Sequence, residues 1–262
     1  MKISSLSDQN GREYNQDRRI VIPKAFPQQK VLFCMVADGM GGTDAGGEAS
    51  RIAVKYFEKW VENEMSNLFS EKGSRSLSLR NSIEEAFNNI NEEILAFGRN
   101  NKVSLGTTAV ILILFQNEYL VANLGDSRAY RFSRQAGRKG RFSSTRITRD
   151  QTAIQSSIDK GIISEEDAKK SKLSHVLTSC LGMKPSKDGK IMMRADFYRG
   201  TFNKGDHFLL CSDGLYNRVD TQEMTEVIKK DNLSTKEKLM ELFIKSKEAG
   251  EKANITGILV EV

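Results

Sequence analysis

The sequence Val36-Ala37-Asp38-Gly39-Met40-Gly41-Gly42 ends an apolar, strand-like run abruptly in an Asp-Gly pair, and Leu210-Cys211-Ser212-Asp213-Gly214-Leu215 repeats the pattern far along the chain. A carboxylate at the end of a buried strand is costly unless a positive group meets it. The neighbouring glycine lets the backbone turn tightly and approach a ligand closely. Because these segments offer oxygen ligands and no His or Cys cluster, they predict aspartates around a hard cation, Mg²⁺ or Mn²⁺. We therefore expect metal-assisted attack of water on a phosphate or a related ester.

The composition is typical of a folded enzyme. Of the 262 residues, 39% are hydrophobic and 28% are charged, which is enough for a domain with a sizeable core. The longest strongly apolar run, Ala109–Phe115, is far shorter than the roughly 20 residues that span a bilayer. The first residues lack the basic-then-apolar pattern of a secretion signal, and three cysteines (Cys34, Cys180 and Cys211) cannot all pair. We expect a cytoplasmic protein with reduced thiols and no membrane partner.

The positive charge of the chain is moderate. The net charge is +6, and the densest basic patch, from Arg134 to Arg141, contains glycines and lies between two strand-like runs. A solvated hairpin tip explains this patch better than a docking surface does. We therefore expect no nucleic-acid partner, while the charge favours the approach of phosphorylated substrates.

Strand-like runs rich in β-branched and aromatic residues recur along the chain and are joined by short turns, which favours antiparallel sheets. They are Arg19–Ile22, Val31–Ala37, Thr107–Phe115, Tyr119–Asn123, Arg128–Phe132, Ser143–Thr148, Ile191–Tyr198, His207–Cys211 and Ile255–Val260. Helical spacing predicts long helices over Glu48–Met65 and Ser82–Phe97, with a polar loop over Glu71–Leu79 and a further helix opening at Ser234. The order of elements predicts an α+β fold: two packed antiparallel β-sheets flanked by helices, in one domain covering residues 1–262.

The segment from Gln151 to Ser179 differs from its surroundings. It is polar and contains Gly161, a helix start at Ser164, and a lysine cluster at Lys169, Lys170 and Lys172. We expect a small flap subdomain, inserted at about residues 151–179 over the edge of the core. We also expect the flap to shape the access of substrate.

Further motifs occur in a fixed order between these elements. Arg12 stands in Gly11-Arg12-Glu13-Tyr14-Asn15-Gln16-Asp17, just before a strand. An arginine there is usually a surface residue, although its planar fork suits a phosphate. Downstream come Gly106-Thr107-Thr108-Ala109, Gly125-Asp126-Ser127-Arg128 and, near the end, Asn254-Ile255-Thr256. With both Asp-Gly segments, this series resembles the metal-dependent serine/threonine protein phosphatases of type 2C, particularly compact bacterial members, from Arg12 to about Val260.

The resemblance implies two Mn²⁺ or Mg²⁺ ions between the sheets, bridged by a hydroxide that attacks phosphorus in line with the leaving Ser or Thr oxygen. It assigns Asp38 as the ligand of both ions, the Gly39 carbonyl as a ligand of one, and Asp213 as a ligand of the other. Asp17 matches the acidic residue that holds metal-bound water, and Arg12 the phosphate-binding arginine. The resemblance therefore assigns Arg12, Asp17 and Asp38 as catalytic residues, of which Asp17 and Asp38 also bind metal.

Two further implications concern metal binding. Asp126, with Asp213, matches a third, weaker metal position of bacterial members. Gln16 stands where many members have Glu, which removes one negative charge.

The expected substrates are phosphorylated proteins, and the expected state is a monomer.

One departure from the family pattern concerns a metal ligand. The family usually reads Asp-Asn-Ile-Thr near its end, whereas this chain has Ala253 before Asn254. Ala253 cannot bind a metal, and hard cations depend on the number of charged ligands. The sequence leaves open a naturally impaired member, a deliberate replacement that traps a state, or Glu251 reaching in from a shifted register.

Two other functions compete with the phosphatase hypothesis. A catalytically weak or inactive member that binds and regulates a phosphoprotein is favoured by Ala253. A nucleotide cradle formed by the Gly-rich segment from Asp38 to Gly47 is disfavoured, since it lacks the Gly-Lys-Ser/Thr of a P-loop and the spacing of a dinucleotide fingerprint.

Overall fold

The computed structural model describes residues 1–26, 29–42, 45–70, 75–134, 142–168, 171, 173, 176–186 and 193–262. Its strands are β1 (Lys2–Asp8), β2 (Arg18–Phe26), β3 (Gln29–Ala37), β4 (Gly39–Gly41), β5 (Leu105–Thr107), β6 (Ala109–Phe115), β7 (Glu118–Leu124), β8 (Arg128–Arg134), β9 (Phe142–Arg146), β10 (Asp196–Thr201), β11 (His207–Cys211) and β12 (Ile255–Glu261). Its helices are α1 (Ala45–Glu62), α2 (Glu64–Ser70), α3 (Arg75–Asn101), α4 (Ala153–Asp159), α5 (Glu165–Ala168), α6 (Asp213–Tyr216), α7 (Thr221–Ile228) and α8 (Thr235–Glu248).

Two five-stranded antiparallel sheets form the centre of the fold. Their strand orders are β1-β12-β11-β8-β9 and β10-β7-β6-β3-β2, and β4 and β5 form a separate short ribbon. The predicted α+β architecture, with antiparallel sheets and flanking helices, is confirmed.

Strand β3 explains why the sheets stack between helices. Leu32, Cys34 and Val36 belong to the apolar cluster shared with strands of the other sheet. Phe33 and Met35 alternate with them and belong to the cluster that includes residues of α1 and α3. A strand covered on both faces must be apolar at every position, which is why its interior is almost continuously hydrophobic.

The second sheet buries its outer face in the same way. Leu209 and Cys211 of β11 share an apolar cluster with Val227 of α7 and with Leu239 and Leu242 of α8. The α8 helix begins with Ser234 as its N-cap, as predicted, and Glu237 completes a capping box.

The predicted loop over Glu71–Leu79 is wrong in its second half. Helix α3 begins at Arg75, whereas residues 71–74 lie outside the described part of the chain. Leu79 and Ile83 are both fully buried, so one helical face packs on the core while Leu77 is exposed. The polar residues that suggested a loop interrupt the apolar face without abolishing it.

Two predicted strands have different bounds. The run Thr107–Phe115 is interrupted at Thr108, whose backbone N–H donates to the carbonyl of Asp38 instead of to a ladder partner. The run Ile191–Tyr198 is replaced by β10 (Asp196–Thr201), because this strand takes its register from pairing with β7. Residues 191–192 lie outside the described residues.

The first strand and helix α7 were not expected from the sequence. β1 is an edge strand of mostly half-buried residues, three of them serines, and it therefore lacks a strong apolar pattern. Helix α7 spans only eight residues, and its clearest signal is the capping box of Asp220 and Glu223.

The segment predicted as a flap is closed at its base. The backbone N–H of Ala153 donates to the carbonyl of Val176 (2.8 Å), and that of Thr178 donates to the carbonyl of Gln151 (2.8 Å). Helices α4 and α5 lie between these contacts. The lysine cluster, His175 and most of the basic patch before Phe142 fall outside the described residues.

Within the described part of the chain, none of the helices is both long enough and apolar enough to cross a membrane.

Candidate active site

A cleft of about 500 Å³ collects most of the residues that the sequence singled out. Its walls come from the loop after β1, the end of β3 with β4, the start of α6, and the segment before β12. The lining residues are Arg12, Glu13, Tyr14, Gln16, Asp17, Asp38, Gly39, Met40, Gly41, Asp213, Ala253 and Asn254. Segments far apart in sequence thus converge because β12 and β11 are neighbours in one sheet and β3 lies in the other.

Asp38 is fixed through its backbone by the Gly-Thr-Thr-Ala motif. Its N–H donates to Oγ1 of Thr108 (3.0 Å), and its carbonyl accepts from the backbone N–H of Thr108 (2.9 Å) and from Oγ1 of Thr107 (2.9 Å). Thr108 Oγ1 also shares a hydrogen bond with Ser127 Oγ (2.6 Å) in the Gly-Asp-Ser-Arg motif. Hydroxyl groups from these two motifs therefore fix the backbone position of Asp38.

Both glycines beside the aspartates are required by close packing. A Cβ on Gly39 would lie 2.1 Å from the carbonyl oxygen of Gly46, and one on Gly214 would lie 2.1 Å from the carbonyl oxygen of Asn254. No side chain fits at such distances, so each Asp-Gly pair brings another backbone segment against the site.

Asp17 is almost completely buried, at 2% exposure. Its Oδ2 accepts a hydrogen bond from Ser212 Oγ (2.8 Å), whereas its buried Oδ1 has no hydrogen-bond partner. Burial raises the pKa of Asp17 to about 6, hydrogen bonds from Ser212 and Thr256 oppose the shift, and repulsion from Asp213 adds to it. An unpartnered buried carboxylate oxygen indicates a missing positive ligand.

Asp38 shares the same electrostatic environment. Its removal from water, with repulsion from Asp17, Asp213 and Asp126 in that order, holds the pKa of Asp38 well above its usual range. Asp17 and Asp38 are therefore close enough to repel each other. Carboxylates this close resist ionisation together unless a cation neutralises them.

Asp126 lies at the turn between β7 and β8 and does not line the cleft. Burial raises its pKa to about 7, with repulsion from Asp213 and then Asp150 adding to the shift, so it lies within electrostatic reach of the cleft. Its carbonyl accepts a hydrogen bond from the Tyr216 hydroxyl (2.9 Å). Arg128 stacks on the ring of Tyr216 and makes two hydrogen bonds to Asp150, which ties the turn to the start of the flap.

Arg12 lies exposed in the loop between β1 and β2 and lines the cleft with Asp17 and Asp38. The structure therefore brings the predicted phosphate-binding arginine into one cleft with three of the predicted metal-binding aspartates, Asp17, Asp38 and Asp213, but not with Asp126. The cleft is also lined by Gln16, the residue for which the family pattern led us to expect Glu.

Ala253 lines the cleft at the position of the expected fourth carboxylate. The shifted-register alternative is wrong, because Glu251 faces elsewhere: its Oε1 accepts from the N–H groups of Lys252 and Ala253, and its Oε2 lies 3.5 Å from Arg218. Lys252 is exposed, and its aliphatic stem packs against Gly11. The missing carboxylate is thus not replaced by its acidic neighbour.

The residues present fit a hard divalent cation. The donors are carboxylates and a backbone carbonyl, one buried carboxylate oxygen lacks a partner, and burial, with mutual repulsion adding to it, raises the pKa values of Asp17 and Asp38. Across the described residues, however, no three Asp, Glu, His or Cys side chains form a ready-made cage for a metal ion.

Several residues of the site were not anticipated as such. Ser212 holds Asp17, Thr108 holds Asp38, and Asn254 bonds to the loop of Arg12. Each of these residues belongs to a motif that is visible in the sequence. A hydroxyl or amide side chain in a motif does not, however, indicate which group it will bond to in the folded chain. Tyr14 and Met40 also line the cleft and had no assigned role.

The chain was compared with known proteins. The family model described as protein phosphatase 2C matches residues 10–259. A serine/threonine phosphatase (stp) of Listeria monocytogenes is 34% identical over 254 residues, covering 95% of this chain and 91% of that protein. Among solved structures, the serine/threonine phosphatase of S. agalactiae has a TM-score of 0.82 at 25% identity and covers 100% of this chain and 99% of that one.

A structure of the catalytic domain of the serine/threonine protein phosphatase PstP, in complex with two manganese ions, shares the fold. Its TM-score is 0.75 at 24% identity, covering 99% of this chain and 97% of that chain. The family match, the identity to a bacterial relative and the converging acidic cleft agree. The chain belongs to the protein phosphatase 2C family and is a metal-dependent serine/threonine protein phosphatase.

Proposed function

We propose that the cleft hydrolyses phosphoserine and phosphothreonine in proteins through Asp17, Asp38, Asp213 and the carbonyl of Gly39 as metal-binding groups, with Arg12 as the phosphate-binding residue. One observation carries this assignment: a buried group of mutually repelling carboxylates, one oxygen of which is unpartnered, opens into the same cleft as an exposed arginine.

The residues divide the work by charge. Bound Mn²⁺ or Mg²⁺ supplies an acidified water and positive charge near the phosphoryl group. Asp38 and Asp213 would hold the ions, and Asp17, kept in place by Ser212, would orient the nucleophilic water. Arg12 donates to the phosphoryl oxygens through a planar fork, which stabilises the negative charge that shifts during transfer. None of the three cysteines lines the cleft; Cys34 and Cys211 are fully buried, and burial raises the pKa of Cys211 to about 12 and that of Cys180 to about 11.

The proposal includes reduced activity in this chain. Ala253 leaves the site one carboxylate short, and Glu251 is committed to Arg218 and to backbone N–H groups. Loss of one charged ligand weakens the binding of a hard cation. A third, weaker ion between Asp126 and Asp213 is supported by their electrostatic proximity.

The alternative is a family member that binds a phosphoprotein and regulates it with little turnover. Ala253 favours it, because a cleft that still binds phosphate but holds its metal poorly would behave in this way.

The proposed substrates are phosphorylated proteins, and the proposed state is a cytoplasmic monomer formed from one domain. The three cysteines are free, and two of them are buried in the sheets, which suits a reducing compartment.

The test is hydrolysis of p-nitrophenyl phosphate across a Mn²⁺ titration, for the wild-type chain, Ala253→Asp and the uncharged control Ala253→Asn. We expect Ala253→Asp to lower the half-saturating Mn²⁺ concentration at least about tenfold and to raise turnover, while Ala253→Asn does neither. Equal Mn²⁺ dependence of wild type and Ala253→Asp would refute the assignment of position 253. No turnover by any of the three would leave the regulatory alternative as the better function.

A further inference from the structure

We propose that Asn254 is a positioning residue for the phosphate clamp: its side-chain amide holds the loop that presents Arg12 to the cleft. The segment from Gln9 to Gln16 is called the clamp loop below. The inference rests on the proposed function in one respect, namely that Arg12 binds the phosphoryl group.

Both polar atoms of the Asn254 side chain form hydrogen bonds to the main chain of the clamp loop. Its Nδ2 donates to the carbonyls of Gln9 (2.8 Å) and Tyr14 (3.0 Å), and its Oδ1 accepts from the N–H of Gln16 (3.0 Å). These three contacts lie on either side of Arg12 in the sequence. One side chain therefore fixes both the entry and the exit of the loop.

The clamp loop contains no strand or helix, so side-chain hydrogen bonds hold it: besides Asn254, Ser50 Oγ donates to the carbonyl of Gln16 (2.6 Å) and Asn15 Nδ2 donates to Ser7 Oγ (2.9 Å). Arg12, Glu13 and Tyr14 are exposed and lie outside any strand or helix. Within the loop, Nε2 of Gln9 donates to the carbonyls of Arg12 (2.8 Å) and Glu13 (2.9 Å), which makes a compact turn. That turn shapes the loop locally, whereas Asn254 ties it to the body of the protein.

Asn254 is itself placed by rigid structure. It directly precedes β12, which lies between β1 and β11 in the sheet. Its carbonyl oxygen packs so closely on α6 that a Cβ on Gly214 would lie 2.1 Å away. A second amide, Asn10, crosses in the opposite direction and donates to the carbonyls of Glu251 (2.7 Å) and Ala253 (3.0 Å). The sheet therefore sets the position of Arg12 through hydrogen bonds that carry no net charge and need no metal ion.

A fixed loop matters for an arginine because a long, flexible side chain loses much conformational entropy when it binds an anion. Without the Asn254 side chain, Arg12 would still be present, but the loop would have to become ordered when phosphate binds. The entropy lost in that step would reduce the free energy of phosphate binding. A purely structural residue would instead lower stability and leave phosphate affinity unchanged.

The first experiment is a double-mutant cycle on the binding of inorganic phosphate, measured by calorimetric titration in saturating Mg²⁺. The variants are Asn254→Ala, Arg12→Ala and the double variant, with Asn101→Ala as the control. Asn101 makes a comparable side-chain hydrogen bond to a backbone carbonyl, that of Phe97, but is exposed at the end of α3. We expect Asn254→Ala to weaken phosphate binding about tenfold when Arg12 is present and to have little effect in the Arg12→Ala background.

The second experiment is amide hydrogen exchange of the clamp loop, which needs neither phosphate nor turnover. The Gln16 N–H should lose protection in Asn254→Ala and keep it in Asn101→Ala, because Asn254 Oδ1 is its acceptor. Unchanged exchange at Gln16, or additive effects in the cycle, would overturn this inference alone.

The proposed function fails separately. A wild-type chain that binds phosphate but hydrolyses no phosphomonoester at any Mn²⁺ concentration would contradict the catalytic proposal and leave the role of Asn254 standing. A wild-type chain that binds no phosphate would overturn both.

Discussion

Replacing Asp17 by Asn should make the metal-free protein more stable at neutral pH while removing a carboxylate that the proposed mechanism uses. Asp17 is buried at 2% exposure, and its pKa rises from 3.8 to about 6 in the folded chain. The folded state holds the Asp17 proton more tightly than the unfolded state does. The contribution of this proton to the free energy of unfolding is therefore complete below about pH 4 and is lost as the pH rises through about 6. Asparagine is uncharged and retains an oxygen that accepts from Ser212.

The magnitude follows from the shift. A difference of about 2.2 units at about 1.36 kcal/mol per unit gives about 3 kcal/mol when Asp17 is fully ionised at pH 8. At pH 5, where the folded carboxyl is still mostly protonated, the same linkage gives about 1.5 kcal/mol. For a chain of this length, about 3 kcal/mol corresponds to a rise in Tm of about 5 °C.

The assay is thermal unfolding in EDTA at pH 5 and pH 8, followed by the same scans in saturating Mn²⁺. Mn²⁺ should raise the Tm of the wild-type protein, because a ligand that binds only the folded state stabilises it. The rise should be smaller for the Asp17→Asn variant, which binds Mn²⁺ more weakly. Asp8→Asn is the control of opposite sign, since a hydrogen bond from Lys247 holds the pKa of Asp8 below its usual range despite partial burial. That variant should lose stability at pH 8. A lower Tm for Asp17→Asn than for wild type in EDTA at pH 8 would refute the reasoning.

Three further outcomes are expected. Arg12→Ala should raise KM for phosphopeptides about 10- to 100-fold, the range for a lost charge-assisted hydrogen bond, and an unchanged KM in steady-state kinetics would show that Arg12 is not the clamp. Thr108→Val should lower the free energy of unfolding by about 1–3 kcal/mol in urea melts, since it strands the Asp38 N–H, whereas the exposed Thr145→Val should change little; equal effects would contradict the proposed link between motifs. Replacing flap residues 154–175 by a short Gly-rich linker should reduce activity on phosphopeptides more than on p-nitrophenyl phosphate, and equal losses on both substrates would exclude a role in substrate access.

The sequence predicted those parts of the molecule in which local pattern and tertiary environment agree. The apolar run that includes β6 was predicted as a strand, and all seven residues of β6 are buried. Ser234 predicted a helix start, and in the structure it is the N-cap of α8, with Glu237 completing a capping box. The pattern failed where pairing or packing overrides it: β10 takes its bounds from β7, and Arg75–Leu79 becomes helical because Leu79 reaches the core.

The candidate site divides in the same way. Asp38 and Asp213 were recognisable from their own segments, because an Asp-Gly pair after an apolar run is a local signal, whereas the role of Arg12 was implied only by the resemblance to the phosphatase family. The sequence could not show that Glu251 turns towards Arg218 rather than into the cleft, since that choice depends on a helix end elsewhere in the chain.

By itself, the sequence determined the two-sheet architecture, the identity of the acidic residues and the absence of a carboxylate at Ala253. The architecture was predicted from the order of the strand-like and helical runs, and the roles of the acidic residues and the missing carboxylate were implied by the resemblance to the type 2C phosphatases. Only the tertiary structure decided that Ser212 would hold Asp17, that Thr108 would hold Asp38, and that Asn254 would hold the loop of Arg12. Each of these contacts joins residues far apart in the chain, so it exists only after the sheets have paired and brought a side chain to a partner that its own neighbours do not specify.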